Sequence, residues 1–71
     1  MEEVKNFDIS EIDGCEFAKG SIGKFLISHH HDFEGMYTGK IQVVHPDSSS
    51  GVLDSEKAQT KLDSGEWKVF R

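Results

Sequence analysis

Apolar and polar residues alternate along two stretches in the middle of this chain. Phe25, Ile27, His29 and His31 fall on one side of the first stretch, and Tyr37, Gly39, Ile41, Val43 and His45 on one side of the second. A period of two predicts strands with one buried face. The residues between, Asp32 to Met36, suit a turn. With Phe33-Glu34-Gly35 as a three-residue loop, Gly35 takes the left-handed third position. This loop sets Ile27 opposite Ile41 and Phe25 opposite Val43, so apolar residues pair on a shared face. A slip of one residue would turn the two apolar sets to different faces.

The flanking segments carry weaker patterns. Phe7 and Ile9 alternate, as do Cys15 and Phe17, with Asp13-Gly14 between them as a two-residue turn signal. Two more strands are expected there, with Cys15 packed into the core beside Phe17. Lys19 to Gly23 reads as a further turn or a bulge. Pro46 to Gly51 is polar and rich in serine, and reads as an exposed loop. Asp54 or Ser55 can cap a short helix over 56–63, whose inner face holds Ala58 and Leu62. Val52 or Leu53 packs at its start, and Gly65 suits its stop. Residues 66–71 then alternate, with Trp67 and Val69 on one side and Phe70 on the other.

This order predicts an α+β, β-rich fold: a small antiparallel sheet of about four to five strands, with one short helix before the last strand. A small β-barrel is the alternative. The chain's 71 residues make one domain, 1–71, with no internal repeat. A core this small is marginal, and an unpaired sheet edge predicts a homodimer.

Cysteine usage and the amino terminus bear on location. Cys15 is the single cysteine, so no internal disulfide exists, whereas a secreted domain of this size usually carries several. Glu2 and Glu3 follow Met1, unlike the basic start of a signal peptide. Phe25-Leu26-Ile27 is the longest apolar run, far short of a membrane span. A cytoplasmic location is expected.

Charge is distributed unevenly. The net charge is −5, and residues 1–16 hold six acids against Lys5 alone, so the remaining residues are balanced. Such asymmetry marks either a solvated edge or an interaction surface. Overall acidity argues against nucleic acid as a partner, because phosphate contacts dominate that affinity. A small barrel with Phe33, Tyr37 and Trp67 as stacking platforms for single strands is nonetheless the second functional reading.

Candidate chemistry is sparse. His29-His30-His31-Asp32 offers metal-ligating side chains, and alternation lets His29 and His31 converge while His30 points away. Two ligands do not make a tight site, and His45 lies too far along the sheet to join them. A metal-binding domain built on His29 and His31 is therefore only a third reading, and no cofactor is expected. Cys15 has no motif of a catalytic nucleophile around it. Lys19-Gly20-Ser21-Ile22-Gly23-Lys24 lacks the spacing of a phosphate-binding loop and runs into a strand. No catalytic residue is assigned, and the chain is not expected to be an enzyme.

The profile resembles in type small inhibitor or adaptor proteins, phage-encoded ones among them, with no specific motif carrying the resemblance. The leading expectation is a small acidic protein-interaction module that binds a basic protein surface, with no membrane contact. Glu2, Glu3, Asp8, Glu11 and Glu16 would face that partner, with Phe33 and Tyr37 of the hairpin as further contacts.

Overall fold

The computed structural model describes residues 1–71 as a six-stranded, fully antiparallel open sheet with one helix. The strands are β1 (Glu3–Val4), β2 (Cys15–Gly20), β3 (Gly23–His31), β4 (Tyr37–Val44), β5 (Ser50–Asp54) and β6 (Lys68–Phe70). The helix, α1 (Ser55–Asp63), precedes the last strand as expected. The sheet order is β1-β6-β2-β3-β4-β5. Its two outer strands, β1 and β5, do not meet, so the barrel alternative does not hold. No helix is long and apolar enough to cross a membrane.

Strands β5 and β6 lie in different halves of the sheet, so the chain must cross it between them. Helix α1 makes that crossing and lies over one face, burying Ala58 and half-burying Leu62. Asp54 occupies its N-cap position without a capping side-chain hydrogen bond. The chain from Phe7 to Ile12 covers the rest of this face. Phe7, Ile9 and Ile12 pack there with Ala18, Phe25, Ile27, Ile41, Val43, Trp67 and Val69. Trp67 and Val69 point inward while Phe70 faces the other way, as their alternation predicted.

The hairpin loop is Phe33-Glu34-Gly35, with Gly35 at φ +86°. Asp32 closes it: its carbonyl accepts from Gly35 N–H, and its carboxylate accepts from the backbone N–H groups of Glu34 and Met36. His31 pairs with Tyr37, the register that the loop dictates. Beyond that pair the register shifts, and Ile27 faces Val43 rather than Ile41, while Ile41 faces His29. Phe25 does not pair with Val43; its ring lies 6.1 Å from that of His45. The cause is a bulge on β4, where Gly39 turns to φ +78°. Thr38 holds it, donating its hydroxyl to the His30 carbonyl and accepting from His30 Nδ1. A shift of two residues leaves side chains on the same faces, so the apolar pattern survives the altered pairing.

Three further expectations need correction. Phe7 and Ile9 do not form a strand. Asn6 takes φ +55°, and Ile9–Glu11 is a 3₁₀ turn with a reciprocal cap: Asp8 accepts from Ser10 N–H, and Glu11 accepts from Asp8 N–H. Cys15 is exposed rather than in the core, because β2 turns Glu16 and Ala18 inward. Val52 and Leu53 belong to an edge strand, β5, that pairs with β4, so the sheet has six strands.

Candidate functional site

The N-terminal layer carries the acidic residues, and the structure divides them by role. Glu2 is exposed, and its backbone pairs with that of Arg71 through Glu2 N–H to Arg71 O at 2.7 Å and Arg71 N–H to Glu2 O at 2.9 Å. Glu3 is half-buried and lies 3.4 Å from the Lys5 ammonium. Asp8 and Glu11 are exposed and locked together by their capping exchange. The Ser10 backbone N–H and then its hydroxyl hold the Asp8 carboxyl below the usual aspartate range, so it stays charged. Asp13 is exposed.

Glu16 does not belong with them. Only 5% of its surface is exposed, and its carboxylate takes both Nε of Arg71, at 3.1 Å, and a terminal nitrogen, at 2.8 Å. It also accepts from Asp13 N–H. Hydrogen bonding by Arg71 holds its carboxyl below the usual value despite burial, and Glu16 in turn raises the Arg71 pKa. Glu16 therefore ties the end of the chain to the sheet and is not available to a partner.

Phe33 and Tyr37 are also separated. Phe33 stands at the hairpin tip, 98% exposed. Tyr37 lies back along β4 with its ring 4.8 Å from His29 and 6.1 Å from His31. These three rings form one wall of a shallow groove of about 560 Å³. The other walls are Asp8 on the 3₁₀ turn and Glu56 and Gln59 on α1. His29 and His31 do share a face, as alternation predicted. However, His29 Nε2 donates to the Ile9 carbonyl at 3.0 Å, fixing its tautomer. No group of three or more His, Cys, Asp or Glu side chains is arranged to hold a metal ion.

Sequence reasoning missed Gln59. It accepts from Ile9 N–H and donates to the Phe7 carbonyl, stitching the N-terminal layer onto α1. Nothing local in the sequence signals this, since the partners are about fifty positions away. The reciprocal cap had a signal, the spacing Asp8-Ile9-Ser10-Glu11, which is that of a capping box.

The face of the sheet turned away from α1 is uncovered. Pairing places Phe70, Phe17, Leu26 and Val44 side by side on β6, β2, β3 and β4. Phe17, Val44 and Phe70 are half-buried and Leu26 is exposed. One pleat further along, Lys68, Lys19 and Lys24 are neighbours on β6, β2 and β3. The Lys19 ammonium sits over the Phe70 ring, 5.0 Å from its centre. Comparison with protein-family models, curated proteins and solved structures finds no match to this chain.

Proposed function

We propose that this protein is a small protein-interaction module, of the inhibitor, regulator or adaptor kind, that binds a basic protein surface through its N-terminal layer. The observation that supports this reading is the grouping of Glu2, Asp8, Glu11 and Asp13. All four are exposed on one segment, two of them are fixed in place by mutual capping, and the adjacent guanidinium of Arg71 is committed to Glu16. Fixed carboxylates lose little freedom when a cation approaches. A one-signed surface also speeds the encounter, over a range of roughly 8 Å at physiological salt.

The test removes the charges and keeps the capping acceptors. A Glu2→Gln, Asp8→Asn, Glu11→Gln, Asp13→Asn variant leaves Glu16 in place, and the amide oxygens at positions 8 and 11 still accept the two capping hydrogen bonds, so it should fold as the parent does. Wild type and variant would be immobilised and exposed to extract of the source cells at low and at high salt. The expected result is a set of basic proteins retained by the wild type at low salt and lost by the variant. Identical captured sets for both chains would remove the acidic layer as a recognition surface.

A further inference from the structure

We propose that the uncovered face of the sheet is a second binding surface, whose occupant is a single-stranded nucleic acid. The chain's acidity hides this surface, because charge is segregated by face. Lys19, Lys24, Lys40 and Lys68 project from the uncovered face; the only acids facing that side from the strands are Glu3 and Asp54, on the two edge strands. These four lysines are half of the chain's eight basic residues, and the two edge acids are a small part of its thirteen. The interior of that face is therefore basic on an acidic molecule.

Its two rows match a particular polymer. The apolar row Phe70-Phe17-Leu26-Val44 crosses four strands, about 14 Å at the usual strand spacing. The lysine row Lys68-Lys19-Lys24 runs parallel to it, one pleat or roughly 7 Å away. A single nucleic-acid strand carries its charges along one edge and flat apolar bases along the other. Lying across the strands, it would set bases on Phe17 and Phe70 and phosphates on the lysines. Lys19 now covers the Phe70 ring. A base stacking on that ring would displace the ammonium toward the phosphate edge, so one movement exposes the ring and places the charge.

The same geometry disfavours an acidic polypeptide. β2, β3, β4 and β6 are each paired on both sides. A peptide crossing them would find no backbone partners on this face for its own N–H and C=O groups. A duplex keeps its bases stacked inside and would leave the apolar row unused.

The test uses the full chain and a fluorescent oligothymidylate, followed by anisotropy across a salt series. Binding is expected at low salt, with log affinity falling against log salt at a slope of about −2, as three phosphate contacts to a single strand give. Phe17→Ala should weaken binding on the order of ten-fold at every salt concentration. Lys24→Ala should reduce the slope by about 0.7, while Lys57→Ala on the helix leaves it unchanged. Both Phe17 and Lys24 lie outside the core, and Leu26→Ser provides a second probe of the apolar row if Phe17→Ala proves unstable. Absence of binding at low salt overturns the proposal. So does binding that ignores both apolar substitutions and is matched by competing polyglutamate, which would assign the face to acidic proteins. A homodimer that dissociates on Leu26→Ser would assign it to a second copy of the chain and overturn the proposal as well.

Discussion

The two faces of the sheet are made by the same strands from alternating residues, yet they end in opposite states. On one face Ile27, Ile41 and Val69 are fully excluded from solvent beneath α1 and the N-terminal layer. On the other, Leu26 and Val52 stay 41% and 47% exposed, and Phe17, Val44 and Phe70 are only partly covered by their neighbours. Seventy-one residues provide one covering layer, and the chain uses it on the face where Trp67 and Phe25 pack together with ring centres 4.9 Å apart. Apolar surface left over on the second face is what a binding surface is made of. Core packing and exposed apolar surface are thus allotted to alternate positions along each strand.

The largest effect should come from substituting neighbours that differ only in face. Ile27→Ala removes a fully buried side chain and should cost about 2–5 kcal/mol by urea denaturation. Leu26→Ala, one position away, should cost less than about 1 kcal/mol. Equal losses at the two positions would mean that the second face is also covered, in solution, by something such as another copy of the chain.

Glu16 tests the exception, a carboxylate on the buried face. Glu16→Ala removes the acceptor for Arg71 and for Asp13 N–H, and should cost about 1–3 kcal/mol. The acid limb of stability carries the same information. The folded-state pKa of Glu16 is lowered, so its contribution is complete above the ordinary glutamate value of 4.5 and disappears as pH falls through the folded value. Wild-type stability should therefore drop below about pH 4.5, and Arg71→Met should flatten that part of the profile while lowering the midpoint at pH 7. A profile unchanged by Arg71→Met would show that the pair does not hold the chain end to the sheet.

The difference between the faces also explains what the sequence could and could not convey. The fold class, the helix before the last strand and the hairpin loop were legible because each rests on local pattern: alternation, a glycine at the third loop position, and Ala58 and Leu62 four apart. The face of β2 was not. Cys15 and Phe17 alternate as a buried pair would, but the uncovered face is itself apolar, so alternation marks two faces without saying which is inside. The inward carboxylate of Glu16 makes sense only with Arg71, fifty-five positions away. The edge strand β5 hid behind a serine-rich turn, and β1 has only two residues to show. The acidic segment was legible as charge, whereas the segregation of lysines onto one face depends on the order β6-β2-β3, which no local pattern contains.

A smaller effect is expected at the bulge that sets the pairing register between β3 and β4. Gly39 sits at φ +78° and Gly35 at φ +86°, with open space around both, so a larger side chain meets backbone strain and no steric clash. Gly39→Val and Gly35→Val should each destabilise by about 1–2 kcal/mol. The two differ in consequence. Gly35 shapes only the loop, whereas Gly39 allows the two extra residues of β4 that set Ile27 against Val43 and Leu26 against Val44. Amide exchange along β3 should accelerate as far as Leu26 in Gly39→Val and only near His31 in Gly35→Val. Matching exchange patterns in the two variants would show that the bulge does not set the register.

The smallest effect is expected at Cys15, and it is informative because it is small. Cys15 lies opposite Ser28 on the uncovered face and is exposed. Cys15→Ser should change stability by less than about 0.5 kcal/mol, since it opens no cavity. In the folded protein the thiol should react with a small aromatic disulfide within a few-fold of the rate in the urea-unfolded chain. A cysteine packed beside Phe17 in a core would behave otherwise: it would react only through unfolding, and each kilocalorie per mole of added stability would slow it about five-fold. The same thiol reports on the face it occupies. If oligothymidylate spans the rows at Phe17 and Lys19, Cys15 lies one pleat from Phe17 along β2, and saturating oligonucleotide should slow its reaction while leaving the unfolded rate unchanged. A folded-state rate that stays slow without any added ligand, and does not change on dilution, would show that the face is already closed within the single chain. The division of labour between the two faces would then fail at its simplest point.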